Sequence, residues 1–493
     1  MLPINRPEVS AGAGGILRGC ALALCFLSVI SASGGGANSA LPPFVDNSLL
    51  RYFPAVFNQG ANNACSQAAG VRYAFTYEVN RILDRDASLP ENVFAYHFTW
   101  NFLNEGENQG SHAFLGYDLM KECGAVPLTV FDDQPYSHPQ QTRWLSGFDT
   151  YINAMRFRVD SYRKISLKTL SGIDSLRRYL HDHDEGSAWG GVATVSCHTD
   201  DWGYRRYEGP RSSDIRYMIT REGSDGPHAI TITGYDDTFE YDFDNDGIIS
   251  ANERGAFIFV NSWGDFWGSE GKCYLPYSVV LADNAAGGLK ETDAEAYIVT
   301  PLISSPSGYV FRVALSYDRR QELSFIVGVA DGNDSPTAKK ESIPRIMCNQ
   351  GGNYPMQGEG ADKYMEVAFR SDYLQPFIEG CGEPKFFFSV RRTAAKGSGE
   401  LSSFSVVDLA SGNVFSYRGD PVPLSKGLTT VSTGPAVLTL ISPRSPWKWL
   451  REGTKIPYTT PYVVRTANGQ VRKMKVRGYD SKKGVITISH KRL

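Results

Sequence analysis

Cysteine is scarce in this chain, with 8 among 493 residues. So few in so long a sequence exclude a scaffold built on disulfides and leave any bridge accessory. An excess of charge of either sign is also missing: 50 Lys and Arg face 53 Asp and Glu, for a net charge of −3. That balance excludes a general affinity for nucleic acid or for an anionic membrane. Long apolar runs are absent as well. The best candidate, Ala21-Leu22-Ala23-Leu24-Cys25-Phe26-Leu27-Ser28-Val29-Ile30, is too short to span a bilayer as a stable helix. Arg6 and Arg18 precede it and Ser31-Ala32-Ser33 follows with small residues for cleavage. Residues 1–33 therefore read as a signal peptide, with a membrane anchor as the alternative. Secretion to an extracellular, periplasmic or cell-surface location is expected, with no transmembrane segment in the mature chain.

What is present is organised in blocks. The length implies several domains. Residues from about 41 to 150 read as helical, and Ala64, Ala68, Val71, Phe75, Val79 and Ile82 recur at steps of four and three, which marks a helix with one buried face. From Ala188 to Thr300 the pattern turns to strands. His228 opens the alternating run His228-Ala229-Ile230-Thr231-Ile232-Thr233, and Asn261 ends the strand Ala256-Phe257-Ile258-Phe259-Val260. Between 308 and 435, short alternating strands separated by Gly, Asn, Asp and Ser suggest a β-sandwich of jelly-roll type. The last stretch, 437–493, is rich in Lys and Arg and reads as a small basic β module, either a small barrel or a three-stranded meander.

Three segments carry chemistry. Asn58-Gln59-Gly60-Ala61-Asn62-Asn63-Ala64-Cys65 supplies a thiol at a helix start and a side-chain amide. Gly226-Pro227-His228-Ala229 supplies a base, and Asn261-Ser262-Trp263-Gly264 supplies a second amide beside an indole. A lone Cys is more often a small buried hydrophobe and a lone His a structural residue. Together these groups make a complete acyl-transfer apparatus. Among the other histidines, His97, His112, His138, His181, His183, His198 and His490, none precedes a strand leading to such an Asn-Ser-Trp-Gly stretch. They read as surface or structural residues, with His112 a candidate for the cleft wall.

The constellation resembles the papain family of cysteine peptidases over roughly residues 41–300. The resemblance implies an α+β, two-lobed fold, a helical lobe facing a β lobe over 41–302, followed here by C-terminal all-β domains at 308–435 and 437–493. It implies Cys65 as nucleophile, His228 as base, Asn261 as its orienting group, Gln59 as an oxyanion donor and Trp263 as a shield over the His–Asn bond. It also makes Gly110 and Ser111, at the head of a helix through Met120, the strip that hydrogen-bonds an extended peptide. The expected activity is peptide hydrolysis by a Cys65 thiolate, its pKa lowered by the helix start and a nearby imidazolium, through a covalent acyl-enzyme and with no catalytic cofactor. A catalytically silent adhesion protein on the same fold and a thiol acyltransferase are the alternatives. Two departures stand out: Asn62 removes one half of a common disulfide, and Ser66 replaces a bulky aromatic behind the nucleophile. The separation of Cys65 from His228 also exceeds the usual ~130–150 residues. The dozen or so residues before Val45-Asp46 are too few for a folded helical propeptide.

Asp242-Phe243-Asp244-Asn245-Asp246-Gly247-Ile248-Ile249-Ser250-Ala251-Asn252-Glu253 matches the calcium loop pattern, with carboxylates at alternate positions, a Gly for the sharp turn and a closing Glu. Asp242, Asp244, Asp246, the Ile248 carbonyl, Ser250 and Glu253 are the expected ligands of a structural calcium; a solvated acidic hairpin tip is the alternative. Beyond a peptide or protein substrate, the basic tail makes an anionic surface polymer a candidate partner, although a merely solvated basic face would look the same. A monomer is expected. Cys348 and Cys381 are the pair expected to bridge.

Overall fold

The structure, a computed structural model, describes residues 41–434 apart from 134–137, 284–286, 290–293 and 333–339, together with three backbone strands near the C-terminus. The segment read as a signal peptide, 1–33, lies outside the described residues.

The helical lobe's first long helix starts at Cys65. One continuous helix runs through α1 (Cys65–Gln67), a π-helical stretch (Ala68–Phe75) and α2 (Thr76–Leu83). Ala64, Ala68, Val71, Phe75 and Val79 are buried as their spacing predicts, but Ile82 is 49 % exposed. The π stretch is the reason. Its wider turns hold more residues than an α turn, so the buried face drifts around the axis and a period extrapolated from the N-terminus fails at the far end. At Gly70 the next helix passes so close that a Cβ would sit 3.0 Å from both Ala113 Cβ and Tyr117 Oη. That neighbour is α4 (Ala113–Cys123), preceded by α3 (Tyr96–Leu103) and followed by α5 (His138–Thr142) and α6 (Phe148–Ala154).

The β lobe is a nine-stranded sheet. Its path runs β2 (Phe157–Ser166), β9 (Glu295–Ile303), β3 (Ala193–Asp200), β6 (Asp225–Glu240), β7 (Arg254–Val260), β8 (Lys272–Pro276), β5 (Tyr217–Ile219) and β4 (Tyr204–Arg206), with β1 (Phe44–Asp46) also on β6. Pairing is antiparallel throughout except between β5 and β8. The run Arg254-Gly255-Ala256-Phe257-Ile258-Phe259-Val260 is buried on both faces from Gly255 onward, as a strand covered by helices on one side and by its own lobe on the other must be. β6 pairs with β7 so that Thr231 faces Val260 and Glu240 faces Arg254. His228 and Asn261 thus lie at one end of this hairpin, and the acidic loop lies at the other, on the order of 40 Å away along the strand. Helix α7 (Leu170–Asp182) packs on the sheet through Ile173, Leu176, Tyr179 and Leu180.

After the β lobe the chain forms a sandwich of two antiparallel sheets. One contains β10 (Tyr309–Tyr317), β13 (Tyr364–Phe369), β15 (Gly399–Asp408), β16 (Val414–Ser416) and β17 (Val422–Pro423). The other contains β11 (Leu323–Asp331), β12 (Lys340–Ser342), β14 (Pro384–Arg392) and β18 (Gly427–Ser432). Aromatic side chains join them, with Phe388 and Phe404 stacked at 5.1 Å and Phe311 edge-on to Phe386 at 6.1 Å. Near the C-terminus β19 (Tyr462–Arg465), β20 (Val471–Asp480) and β21 (Val485–Arg492) pair as a three-stranded antiparallel meander, one of the two forms the sequence leaves open. This is the α+β class read from the sequence: a helical lobe, a β lobe and trailing all-β structure.

The sandwich and the helical lobe share one core. Phe98, Phe102, Trp144, Tyr151 and Met155 belong to the same buried cluster as Val313, Phe325, Val327 and Phe369. Polar contacts reinforce the seam: Phe148 N–H donates to Glu366 (2.9 Å), Gly147 N–H to the Glu366 carbonyl (2.8 Å) and Arg345 N–H to Glu122 (2.7 Å). Gly351, at φ +72°, passes so near Trp144 that a Cβ would lie 2.2 Å from the indole. The expected Cys348–Cys381 bridge is not formed. Cys348 is an exposed free thiol, held by a short pairing to Ser324, while the Cys381 thiol donates to Phe377 O within the turn that ends α9 (Gln375–Gly380).

Candidate active site

Backbone pairing across the two lobes sets the site. Asn58 bridges to Trp263, Gln59 N–H donates to the Ser262 carbonyl (2.8 Å), and Gly264 N–H donates to the Phe57 carbonyl (3.0 Å). The loop before the nucleophile is thereby laced to the loop after β7. Gln59 is buried, and both ends of its carboxamide are held: Oε1 accepts from the Ser262 hydroxyl and Nε2 donates to the Asn62 carbonyl (2.7 Å). An amide nitrogen carries two hydrogens, so one N–H of Gln59 remains for a further acceptor.

His228 is buried, and its Nε2 lies 2.8 Å from Asn261 Oδ1. The same oxygen accepts from Ser262 N–H at 2.8 Å, and a backbone N–H can only donate, which fixes the amide orientation. Nε2 must then carry the ring proton, leaving Nδ1 as the basic nitrogen. The Trp263 ring covers the imidazole at 4.7 Å between centroids. Two indoles missed in the sequence reading complete the enclosure. Trp202 stands 6.4 Å from His228 and 5.9 Å from Trp263, and Trp267 stands edge-on to Trp263 at 5.5 Å. The repeat of Trp263 four positions later in Trp267 was a usable signal; Trp202 had none.

Cys65 is half-buried, and the backbone N–H groups of Ala229, the residue after His228, of Ser66 and of Cys65 itself favour its ionised sulfur. Burial pushes the thiol up to about 11 against these three N–H groups. Burial also pulls His228 down to about 4, opposed by its bond to Asn261. The low thiol pKa expected at a helix start is thus not found, because desolvation outweighs the N–H groups around the sulfur.

Behind Cys65 lies a polar seam around Ser66 and Gln67. Ser66 Oγ meets Ser111 Oγ at 3.2 Å; Gln67, fully buried, donates to Ser111 Oγ (3.1 Å) and to the His112 carbonyl (2.9 Å). Gly110 and Ser111 therefore sit beside the start of α1, and His112 stacks on Phe114. Asn62 is held by hydrogen bonds: its Oδ1 accepts from Gln141, and its Nδ2 approaches His97 Nε2 at 3.4 Å.

At the other end of the hairpin, ligand atoms of Asp242, Asp244 and Asp246 lie within 4.8 Å of one another. Glu253 stands apart from this trio. Its carboxylate accepts from Phe243 N–H (2.7 Å), Ser250 N–H (2.8 Å) and Ser250 Oγ (2.7 Å), and those bonds hold its acidity down to about 2. Ser250 is thus turned to Glu253, closing a capping box, and the Ile248 side chain points outward at 67 % exposure. Three of the four expected carboxylates converge, and three carboxylates on one tight loop fit a hard cation.

No family model matches the chain, and no curated protein matches it. Solved structures do. A cysteine protease, xylellain, from Xylella fastidiosa is 20 % identical over 53 % of this chain and 87 % of its own, with a TM-score of 0.36. The bromelain protease from Ananas comosus is 15 % identical over 53 % of this chain and 99 % of its own, at 0.34. A cysteine protease from Carica candamarcensis is 13 % identical over 53 % and 99 %, at 0.33.

Proposed function

We propose that the chain is a papain-type cysteine peptidase acting through Cys65, His228, Asn261 and Gln59. The observation that carries the reading is the His228–Asn261 bond under Trp263, with the neighbouring Ala229 N–H at the Cys65 sulfur. Nδ1 of His228 takes the thiol proton as sulfur attacks the scissile carbonyl. The resulting oxyanion is received by the Cys65 N–H and the uncommitted N–H of Gln59, each donor worth about 3 kcal/mol in comparable sites. His228 returns the proton to the departing amine, the C–N bond breaks and a thioester remains. Water, deprotonated by His228, then attacks the thioester and releases the acid and the free thiol. Gly110 and Ser111 offer backbone groups to the substrate chain.

The test is a thiol-directed peptidyl epoxide followed by mass spectrometry. Labelling of Cys65 and loss of all peptidase activity in Cys65→Ala support the reading; labelling elsewhere, or more than a few per cent of residual activity, removes it. Transfer to an added amine without hydrolysis would identify the acyltransferase, and an inert, unlabelled chain the silent binding protein.

Three further expectations belong to the same reading. The protein is secreted. Asp242, Asp244 and Asp246 hold a structural calcium. The basic segment 437–493 binds an anionic surface polymer through screened contacts, so its removal should weaken retention on anionic resin at low salt and leave small-peptide hydrolysis unchanged. Equal retention with and without the segment refutes that last role.

A further inference from the structure

Gln141 lies far in sequence from the catalytic motifs and yet reaches the loop that orients Gln59. Its Nε2 donates to Asn62 Oδ1, and the Asn62 carbonyl is the acceptor that fixes one N–H of Gln59 (2.7 Å). Rotation of the Gln59 amide is set by that bond and by the Ser262 hydroxyl, so the direction of its remaining N–H follows the position of Asn62. Asn62 itself is buried, and no disulfide anchors it.

The helix that presents Gln141 is held from two sides. From α3, Asn101 Nδ2 donates to the carbonyls of Gln140 (2.7 Å) and Arg143 (2.8 Å), and Asn104 Nδ2 donates to that of Gln141 (2.8 Å). From the sandwich, Arg320 Nη2 donates to the Thr142 carbonyl (2.6 Å) and Glu359 N–H to the Thr142 hydroxyl (2.9 Å). Arg320 is fully buried. Its guanidinium lies 3.8 Å from the Trp144 ring centroid and spends its other donors on the carbonyls of Gly351 and Met356. Among the described residues it forms no ion pair. A buried charge paid for only by carbonyls is costly unless it secures something else, and here it secures α5 against the sandwich.

We propose that Gln141 is a positioning residue for the oxyanion donor Gln59, and that the β-sandwich acts on catalysis through Arg320, Thr142 and Gln141. The hydrogen-bonded path does in this chain what a covalent bridge at position 62 would otherwise do. The inference rests on the peptidase reading. It assigns the sandwich a role in turnover.

The test is Gln141→Met in the full chain, assayed for kcat and KM on a peptide substrate, for alkylation of Cys65 by iodoacetamide and for Tm. Oxyanion stabilisation acts only in the transition state, so kcat should fall about tenfold, short of the ~10²–10³-fold lost when a donor is removed outright. KM and the alkylation rate, which involve no oxyanion, should stay within about twofold of the parent. Unchanged kcat overturns the inference, and so does an equal loss in alkylation, which would mean a disturbed thiol. Arg320→Lys supplies the second arm: it should lower kcat in the parent and leave kcat unaffected in the Gln141→Met background, whereas additive losses overturn the path. A parent chain with no turnover at all would remove the peptidase reading itself, an outcome distinct from either of these.

Discussion

Ser262 grips Gln59 at two points, by its carbonyl on the Gln59 N–H and by its hydroxyl on Oε1, while its own N–H holds Asn261. One residue thus ties the oxyanion donor to the group that orients the base. The two duties use different atoms and are separable. Ser262→Ala deletes the hydroxyl alone, leaving both backbone bonds. It should lower kcat about five- to tenfold, a fraction of a full donor's ~10²-fold or greater effect, with the pH profile unchanged. A displaced acid limb would show instead that the hydroxyl bears on His228.

Asn261→Leu probes the other duty. Burial holds His228 down to about 4, and the bond from Asn261 is the influence that raises it. Leucine keeps the volume and the dryness but removes the acceptor, so the imidazole should become still harder to protonate. The neutral ring is the base, and activity is lost as pH falls through its pKa. The acid limb of kcat/KM should therefore move below about 4 as kcat falls, by less than the ~10²–10⁴-fold worth of a general base. An unmoved or upward-shifted limb contradicts the assigned bond.

The residues around the cleft were legible because each motif joins a chemistry-bearing side chain to a short, strongly patterned element. His228 heads an alternating strand, Asn261 ends one, and Cys65 opens an apolar helical period. What joins them was not legible. Gln141 meets Asn62 through a hydrogen bond that no local pattern records. Ile82 failed because a π stretch shifts the helical period within the helix. The seam with the sandwich did leave a trace: α3, Tyr96-His97-Phe98-Thr99-Trp100-Asn101-Phe102-Leu103, is buried on nearly every side. Its aromatic residues point to two sides, Tyr96 and Trp100 into the helical lobe and Phe98 and Phe102 toward the sandwich, so it must be covered twice.

That seam predicts the fate of a shortened chain. Without residues 304–493, Phe98, Phe102, Trp144, Tyr151 and Met155 lose their cover. Exposing each large apolar side chain costs about 1.5–3 kcal/mol, so the sum is on the order of 10 kcal/mol and comparable to the ~5–15 kcal/mol that holds a domain together. Residues 41–303 alone should be insoluble or lack a cooperative thermal transition by circular dichroism. A cooperative, monomeric fragment with a Tm close to the parent's would show that the two parts stand independently.

Calcium is the remaining point where sequence and geometry meet. The trio Asp242, Asp244 and Asp246 concentrates negative charge on exposed loop carboxylates, and Asp246 and Gly247 N–H groups already fold the loop onto Asp242. An ion there would neutralise that repulsion and clamp the end of the β6–β7 hairpin remote from His228 and Asn261. Binding to the native state alone stabilises by mass action, ~2.7 kcal/mol at a hundredfold excess over Kd. Raising calcium from chelator to millimolar should therefore lift Tm by several degrees, while kcat on a small peptide stays within about twofold because the loop lies far from the cleft. The shift should vanish in Asp244→Asn/Asp246→Asn, which keeps the loop's shape and hydrogen bonding but removes two charges. A melting curve indifferent to calcium, with no heat of binding by calorimetry, would reduce the loop to an acidic hairpin tip. A shift that survives the double substitution would place the ion elsewhere.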